Sequence, residues 1–324
     1  MRKKNDFWML LASACALAAT ACSSGEGGAD HDLEWELLTD TPSFTGLDGE
    51  YRAVVFKDRI WLVNGEASGP GGNEQSWNSA DGVEWTPSES TLPSYNGRSC
   101  LVFNGKLWAF FGFNGEDIPL EIMDSGDGLA WNVFNDDPDV TPRARHGVAE
   151  FDGKMWIIGG IGSGTGDMGR NDVWSSGDGE DWDRLTESAA FSPRYNPGVA
   201  VHDGKLWVIG GGRWDESGRN DVWWSTDGAS WTLAVEHAAF PARSEHAVIV
   251  HDGAIWVIGG YGADENFLND AWWSADGREW RESAVPVPFS PRRLHEAVDF
   301  DGSIWVIGGR DEEDNVLYDV WRSR

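Results

Sequence analysis

Four arginines recur at one distance from a tryptophan: Arg143, Arg194, Arg243 and Arg292 each lie thirteen residues before Trp156, Trp207, Trp256 and Trp305. Three histidines, His146, His246 and His295, lie ten residues before three of the same landmarks. A guanidinium is a planar fork that matches a carboxylate, so an arc of four on one face would bind an anion such as the acid group of a sugar or of a peptide side chain. Imidazole titrates near neutral pH and can move a proton. Glu245 and Glu296 adjoin His246 and His295, which makes an acid–base pair conceivable, although strand neighbours point to opposite faces and only one of each pair can then face a shared channel. The arginines also have a second reading, in which they pair with Asp172, Asp221, Asp270 and Asp319 and tie neighbouring units together. Asp48 and Tyr95 occupy the arginine position in the first two units, which leaves the arc lopsided. Trp214, beside Arg213 and Asp215 in a polar stretch, is off the repeat register and suits sugar stacking, a protein contact or packing within its own loop.

What must position these residues is a repeat. The segment Phe151-Asp-Gly-Lys-Met-Trp-Ile-Ile-Gly-Gly160 recurs from His202, His251 and Phe300, with looser copies from Phe103 and Phe56. The tryptophans at 61, 108, 156, 207, 256 and 305 are spaced by 47 to 51 residues. Six units follow. In each, two apolar runs flank an Asp-Gly or similar turn, where both central residues need positive φ. A third run holds Asp172-Val-Trp174, a second turn is read at Asp178-Gly179, and a fourth strand begins at Trp182. The second run lacks polar alternation, so it must be covered on both faces by neighbouring units. Four-stranded antiparallel sheets stacked around an axis satisfy this. The sixth unit reaches only Asp319-Val-Trp321-Arg-Ser-Arg324, while Glu34-Trp35-Glu-Leu-Leu38-Thr39 matches the fourth-strand sequence Asp181-Trp182-Asp-Arg-Leu185-Thr186. Residues 33–39 are therefore expected to complete the last blade and close the ring. The stretch Ser225-Thr-Asp-Gly-Ala-Ser-Trp231 reads as a scaffold turn. Trp223 and Trp231 are expected to pack between blades, with Trp224 on the other face of its strand.

The Gly-Gly doublets at 159–160, 210–211, 259–260 and 308–309, the aromatic residues behind them and the preceding Arg-x-x-His resemble kelch repeats, which implies an all-β, six-bladed kelch-type β-propeller over residues 33–324. Asn64-Gly65 and Phe111-Gly112 depart from the doublet, and Met123 from the third-strand tryptophan. Ser-x-Asp-Gly-x-x-Trp is similar to the Asp-box of sialidase propellers, one residue shorter. The resemblance to kelch proteins implies a ligand- or protein-binding module acting through loops at the channel mouth. A resemblance to sialic acid mutarotase implies the alternative, a carbohydrate-modifying enzyme. Galactose oxidase shares the motif, but no Tyr-His pair is present to ligate copper.

Composition bounds the rest. Arg2-Lys3-Lys4, an apolar stretch from Phe7 to Ala19 and the small residues before Cys22 resemble a bacterial lipoprotein signal over 1–21, with Cys22 the lipid attachment site and 22–32 a flexible linker. Ala19 stands where that family usually has leucine, and plain secretion is the alternative. The expected location is the cell envelope, by lipid anchor only, on the outer membrane or periplasmic side. Without residues 1–21 the folded part keeps Cys100 alone, which excludes a disulfide framework and a Cys-rich metal site. The formal charge of −29 repels phosphate backbones, so nucleic acid is excluded as a main partner. A monomer binding a protein or carbohydrate, with an anionic group suiting the arginines, is expected; no cofactor and no metal are. His202 and His251 read as strand-end packing, since Phe151 and Phe300 take the same place. The loop Asp311-Glu-Glu-Asp314 reads as a solvated acidic turn.

Overall fold

A computed structural model describes residues 31, 33–44, 50–63, 76–115, 117–163, 169–213 and 218–324. Their regular structure is six antiparallel sheets, one per repeat. The protein is an all-β, six-bladed propeller with four antiparallel strands in each blade. Blade 3 is representative: Gly147–Phe151 innermost, then Lys154–Ile158, Val173–Ser176 and Asp183–Thr186 outermost. Blade 5 adds a two-residue strand, Arg243–Ser244, against Ala254–Gly262.

The first hairpin of each blade turns as its sequence demands. Asp152 and Gly153 have φ of 51° and 66°, and the Asp-Gly pairs at 203–204, 252–253 and 301–302 repeat the pattern. The second turn differs from the sequence expectation, because only its glycine is left-handed (Gly179, φ 89°). A side-chain cage replaces the type I′ geometry: Asp178 accepts the backbone N–H groups of Glu180 and Asp181, Ser176 Oγ accepts that of Gly179, and Trp182 Nε1 donates to the Gly179 carbonyl. The cage recurs around Asp81, Asp227 and Asp276, and around Asp127 without the indole bond.

These turns lock the blades. The Cβ that Gly228 lacks would fall 2.0 Å from the Trp156 ring of the preceding blade, so a glycine is required there by contact as well as by φ. Trp156 and Ile158 of blade 3, Leu206, Val208 and Trp231 of blade 4 form one buried cluster, with Trp223 packed against it. Trp224 belongs to the next cluster, with Trp207, Ile209 and Trp280. The tryptophans of the opening motif thus fill both inter-blade seams. Burying an indole demands a partner for its N–H, and Trp156, Trp207 and Trp305 each donate to the carbonyl five residues earlier, at 2.8, 3.0 and 2.8 Å.

The ring closes through the N-terminal strand. Trp35–Thr39 pairs antiparallel with Val316–Ser323, placing Trp35 opposite Ser323 and Leu37 opposite Trp321. Glu36 binds Arg322 at 2.9 Å and also Arg324, and the Arg324 N–H donates to the Glu34 carbonyl.

Candidate functional site

The innermost strands all start at one end of the channel, opposite the caged turns, and the segments that lead into them converge there. They enclose a cavity of about 190 Å³ to which all six blades contribute. Its polar lining includes Arg52, Ser99, Asn196, Glu245 and Glu296, and its apolar wall includes Val148, Val199 and Val248. Glycine shapes it: Gly147 and Gly198 lie so close to Val199 and Val248 of the following blades that a Cβ would stand 2.2 and 2.3 Å from them. Small residues let the inner strands of blades 3 to 5 converge at the mouth, and a second cavity of about 250 Å³ continues along the same strands past Val148, Val199 and Val248.

The four arginines of the sequence pattern do not line this cavity. Each has a fully buried side chain held within its own blade. Arg243 donates Nη1 and Nη2 to the two oxygens of Asp270 at 2.7 Å each, Nη1 also to the Gly259 carbonyl at 2.9 Å, and Nε to the Pro241 carbonyl at 3.0 Å. Arg143, Arg194 and Arg292 repeat this with Asp172, Asp221 and Asp319. The anion-binding arc is corrected accordingly: every fork is already filled by an aspartate. The pairing reading is corrected in one respect too, since the side chains bind within a blade. The tie between blades is made by the backbone, where Gly160, Gly211 and Gly260 donate N–H to the carbonyls of Arg194, Arg243 and Arg292 in the following blades. Burial pushes Asp172, Asp221 and Asp270 up, but the arginine and an indole N–H outweigh it, and all three lie below the usual carboxylate range. Blade 2 replaces the set with Tyr95, Glu121 and Met123; the Tyr95 hydroxyl reaches Glu121 at 3.3 Å and Arg98 stacks on the Tyr95 ring.

The three histidines do line the cavity, but their ring nitrogens are sealed beneath its surface with no hydrogen-bond partner. Each ring leans on the preceding blade: His146 on Phe111, His246 on Gly198 and Gly210, His295 on Gly259. Desolvation, helped by the nearby Arg143, Arg243 and Arg292 respectively, drives all three down, His246 and His295 to about 3 and His146 well below its ordinary value. A proton shuttle at neutral pH needs an accessible nitrogen that titrates near 7, so His246 and His295 do not fit that role. The alternation argument fails here as well. Glu245 has φ 55°, outside any strand, and Glu245 and His246 both reach the cavity.

These neutral histidines make the fold acid-sensitive. Their folded pKa values are depressed, so the unfolded chain binds more protons below pH 6.5, and stability falls as pH drops from 6.5 towards 3. Each histidine contributes up to about 1.4 kcal/mol per pH unit. Urea unfolding followed from pH 7.5 to 4.5 should show this early loss, and His295→Phe should flatten it; an unchanged slope in that variant would refute the assignment.

Of the polar residues that face the cavity, sequence reasoning names Glu245 and Glu296 and misses Arg52, Ser99 and Asn196. Arg52 commits only Nη1, to Glu296 Oε1 at 2.9 Å and to the Tyr51 carbonyl at 3.4 Å. Glu296 Oε2 accepts the Ala53 N–H at 3.0 Å, and burial raises its carboxyl above the usual value despite Arg52. Glu245 is held through Oε2 by Arg293 at 2.9 Å, and Arg293 divides itself with Asp314 at 3.0 Å. Above the cavity, Arg145 reaches over Gly97 from blade 3 to Glu50 of blade 1, at 2.9 Å. Backbone bonds from Arg145 to Gly97, Asn196 to Arg145 and Leu294 to Glu245 bind adjacent blades around the rim.

With this architecture in place, the comparison with known families is direct. Residues 152–272 match the DUF6242 beta propeller domain. The match runs from the first turn of blade 3 into the third strand of blade 5. A leucine-zipper-like transcriptional regulator 1 homolog of Drosophila melanogaster is 23% identical over 202 residues, which cover 55% of this chain and 20% of that protein. The chain thus aligns with about one fifth of that relative's length.

The remaining expectations have clear positions. His202 Nε2 meets the Ala275 carbonyl at 2.8 Å and His251 Nδ1 meets Asp299 at 2.9 Å, both contacts to the following blade. Asp311 closes its own turn by accepting the N–H groups of Glu313 and Asn315. Cys100 is a free, buried thiol pushed up to about 12 by burial. Trp214, Asp48, Asn64-Gly65, Cys22 and the segment 1–30 lie outside the described residues.

Proposed function

We propose that this chain is an exported ligand-binding propeller that captures its ligand at the channel mouth. The observation that carries the reading is the cavity itself, which draws on all six blades and contains polar groups that the core does not need. Elsewhere the polar repeat residues are used up in cages and buried pairs. The Gly-Gly and Arg-x-x-His pattern supports a kelch-type reading of the repeats. The lipobox-like segment before Cys22 supports anchoring in the cell envelope, which the mass of the mature N-terminus tests. For the binding site, a thermal-shift screen of small molecules, glycans and peptides is run on the native chain, on Arg52→Met in the cavity, and on Arg278→Ala in an exposed turn at the opposite end. Ligands of the mouth lose their stabilising shift in Arg52→Met and keep it in Arg278→Ala. Ligands indifferent to Arg52→Met would overturn the assignment.

A further inference from the structure

The charges that face the cavity do not balance. Arg52, Glu245 and Glu296 line it, and the three histidines around them are neutral at physiological pH. Two carboxylates therefore meet one guanidinium. Arg293, which stands behind Glu245, is shared with Asp314 and so does not fully compensate. Glu245 Oε1 accepts no hydrogen bond among the described residues, since its ion pair uses Oε2. The raised carboxyl of Glu296 is the mark of the same deficit: it has one guanidinium nitrogen and one backbone N–H against its partial burial. A cation entering here relieves both acids. Arg52, in turn, keeps Nε and Nη2 out of its ion pair, so one edge of the fork remains open to a carboxylate.

The dimensions restrict what can enter. A cavity of about 190 Å³ with the rims of blades 1 and 3 joined by Arg145 and Glu50 admits a molecule of a few heavy atoms and excludes a folded chain or an oligosaccharide. The apolar wall of Val148, Val199 and Val248 suits a short hydrocarbon part. The acidic chain as a whole also favours approach of the positive end.

We propose that the cavity takes a small zwitterion of the amino-acid type, with its ammonium group held by Glu245 and Glu296 and its carboxylate by the open edge of Arg52. This rests on the channel-mouth reading above and adds the ligand class to it. Histidines 146 and 295, each more than nine-tenths buried in the cavity lining, add no charge to it.

The test is isothermal titration of the full folded chain with glycine, L-alanine, ethylamine, acetate and glucose. Glycine and alanine are expected to bind one to one, and ethylamine and acetate each at least roughly tenfold more weakly, because each supplies half of the contacts. Glu296→Gln and Glu245→Gln should each weaken glycine roughly tenfold or more, and Arg52→Met should abolish acetate binding while leaving ethylamine bound. Thermal unfolding confirms that each variant is folded. If Glu296→Gln does not fold, Glu245→Gln, which lies outside the strands, decides the point. Acetate or glucose binding as tightly as glycine, or glycine affinity indifferent to both glutamate changes, would overturn the zwitterion. If the amino acids fail but another compound from the screen loses binding in Arg52→Met, the ligand class is wrong and the channel-mouth reading stands. If no compound depends on Arg52, both fail.

Discussion

Arg243→Ala is expected to lower the unfolding free energy by about 3–5 kcal/mol, the usual cost of leaving a buried charge without its partner. Arg243 has no exposed surface and uses four of its five N–H groups at once: two bonds to Asp270, one to the Gly259 carbonyl and one to the Pro241 carbonyl. Its removal leaves Asp270 facing only the Trp272 indole N–H, at 2.7 Å, in a site where burial already opposes the charge. Lysine cannot replace it, because a single ammonium cannot reach two carboxylate oxygens and two carbonyls in one plane. Arg243→Lys should therefore recover little. The double change Arg243→Met with Asp270→Leu removes both charges and should be clearly more stable than either single variant. Urea unfolding of the four proteins closes the double-mutant cycle. A loss below about 1 kcal/mol for Arg243→Ala would show that the pair is a surface-like contact. The depressed Asp270 also fixes a sign: its contribution is present above the unfolded value and disappears as pH falls through the folded one. In Arg243→Ala burial is no longer outweighed, so that acid limb should vanish or reverse sign. Ligand binding at the mouth should survive in the folded fraction, since Arg243 does not line the cavity.

The fate of these arginines shows where sequence reasoning reaches its limit. Where each repeating residue stands in its blade was legible, though not what it bonds to, because a residue recurring about every 49 positions must occupy equivalent places in equivalent sheets. The blade count, the first hairpin turns, the inter-blade tryptophans and the closing strand all follow from that rule. The spacing of Arg243 and Asp270 offered both a pair and a pore-facing ring. What decides between them is the left-handed Gly259-Gly260, which brings its carbonyl back onto the guanidinium, and a backbone path of that kind is not written in residue types. Arg52 and Ser99 were missed for the opposite reason. Nine residues before each core tryptophan stand Arg52, Ser99, Gly147, Gly198, Ala247 and Glu296, a position with no consensus. Variation at one place in an otherwise strict repeat was the available signal. The search for recurring chemistry passed over it, because a site on the symmetry axis is built from what differs between blades.

Deleting residues 33–39 is expected to abolish cooperative folding. The deletion exposes the outer edge of Val320–Ser323 and removes Leu33 and Trp35 from the cluster that holds Trp256, Trp273 and Trp321. Trp35 also meets Phe289 edge to face with ring centroids 5.4 Å apart. An open edge carrying unpaired N–H and C=O groups favours association with another chain, so the truncated protein should elute as oligomers and lose its sharp urea transition. Trp35→Ala is a milder test. It should cost about 2 kcal/mol, less than a fully buried tryptophan because the ring is half-buried. A rescue separates strand pairing from a general effect of truncation. Arg324 already donates its N–H to the Glu34 carbonyl, at 2.8 Å, where the other blades carry a caged Asp-Gly turn. Moving residues 34–39 to follow Arg324 through an Asp-Gly-Ala linker rebuilds that turn, with Ser323 placed as Ser225 is before Asp227 and Gly228. The permuted chain should regain a single cooperative transition, near the native midpoint. If the truncated chain unfolds with the native midpoint and slope, or the permuted chain fails to recover while remaining soluble, then the ring is not held shut by this strand. The seam between blades 6 and 1 would then be carried by the apolar cluster of Phe44, Trp77 and Trp85 with Val298 and Trp305, by Glu296 with Arg52 and Ala53, and by Tyr51, whose buried hydroxyl donates to the Ile307 carbonyl at 3.1 Å. Those contacts lie on the inner strands of the seam and leave the outer edge of Val320–Ser323 unpaired and Leu33 and Trp35 absent from their cluster, and for that reason the N-terminal strand is assigned the closure.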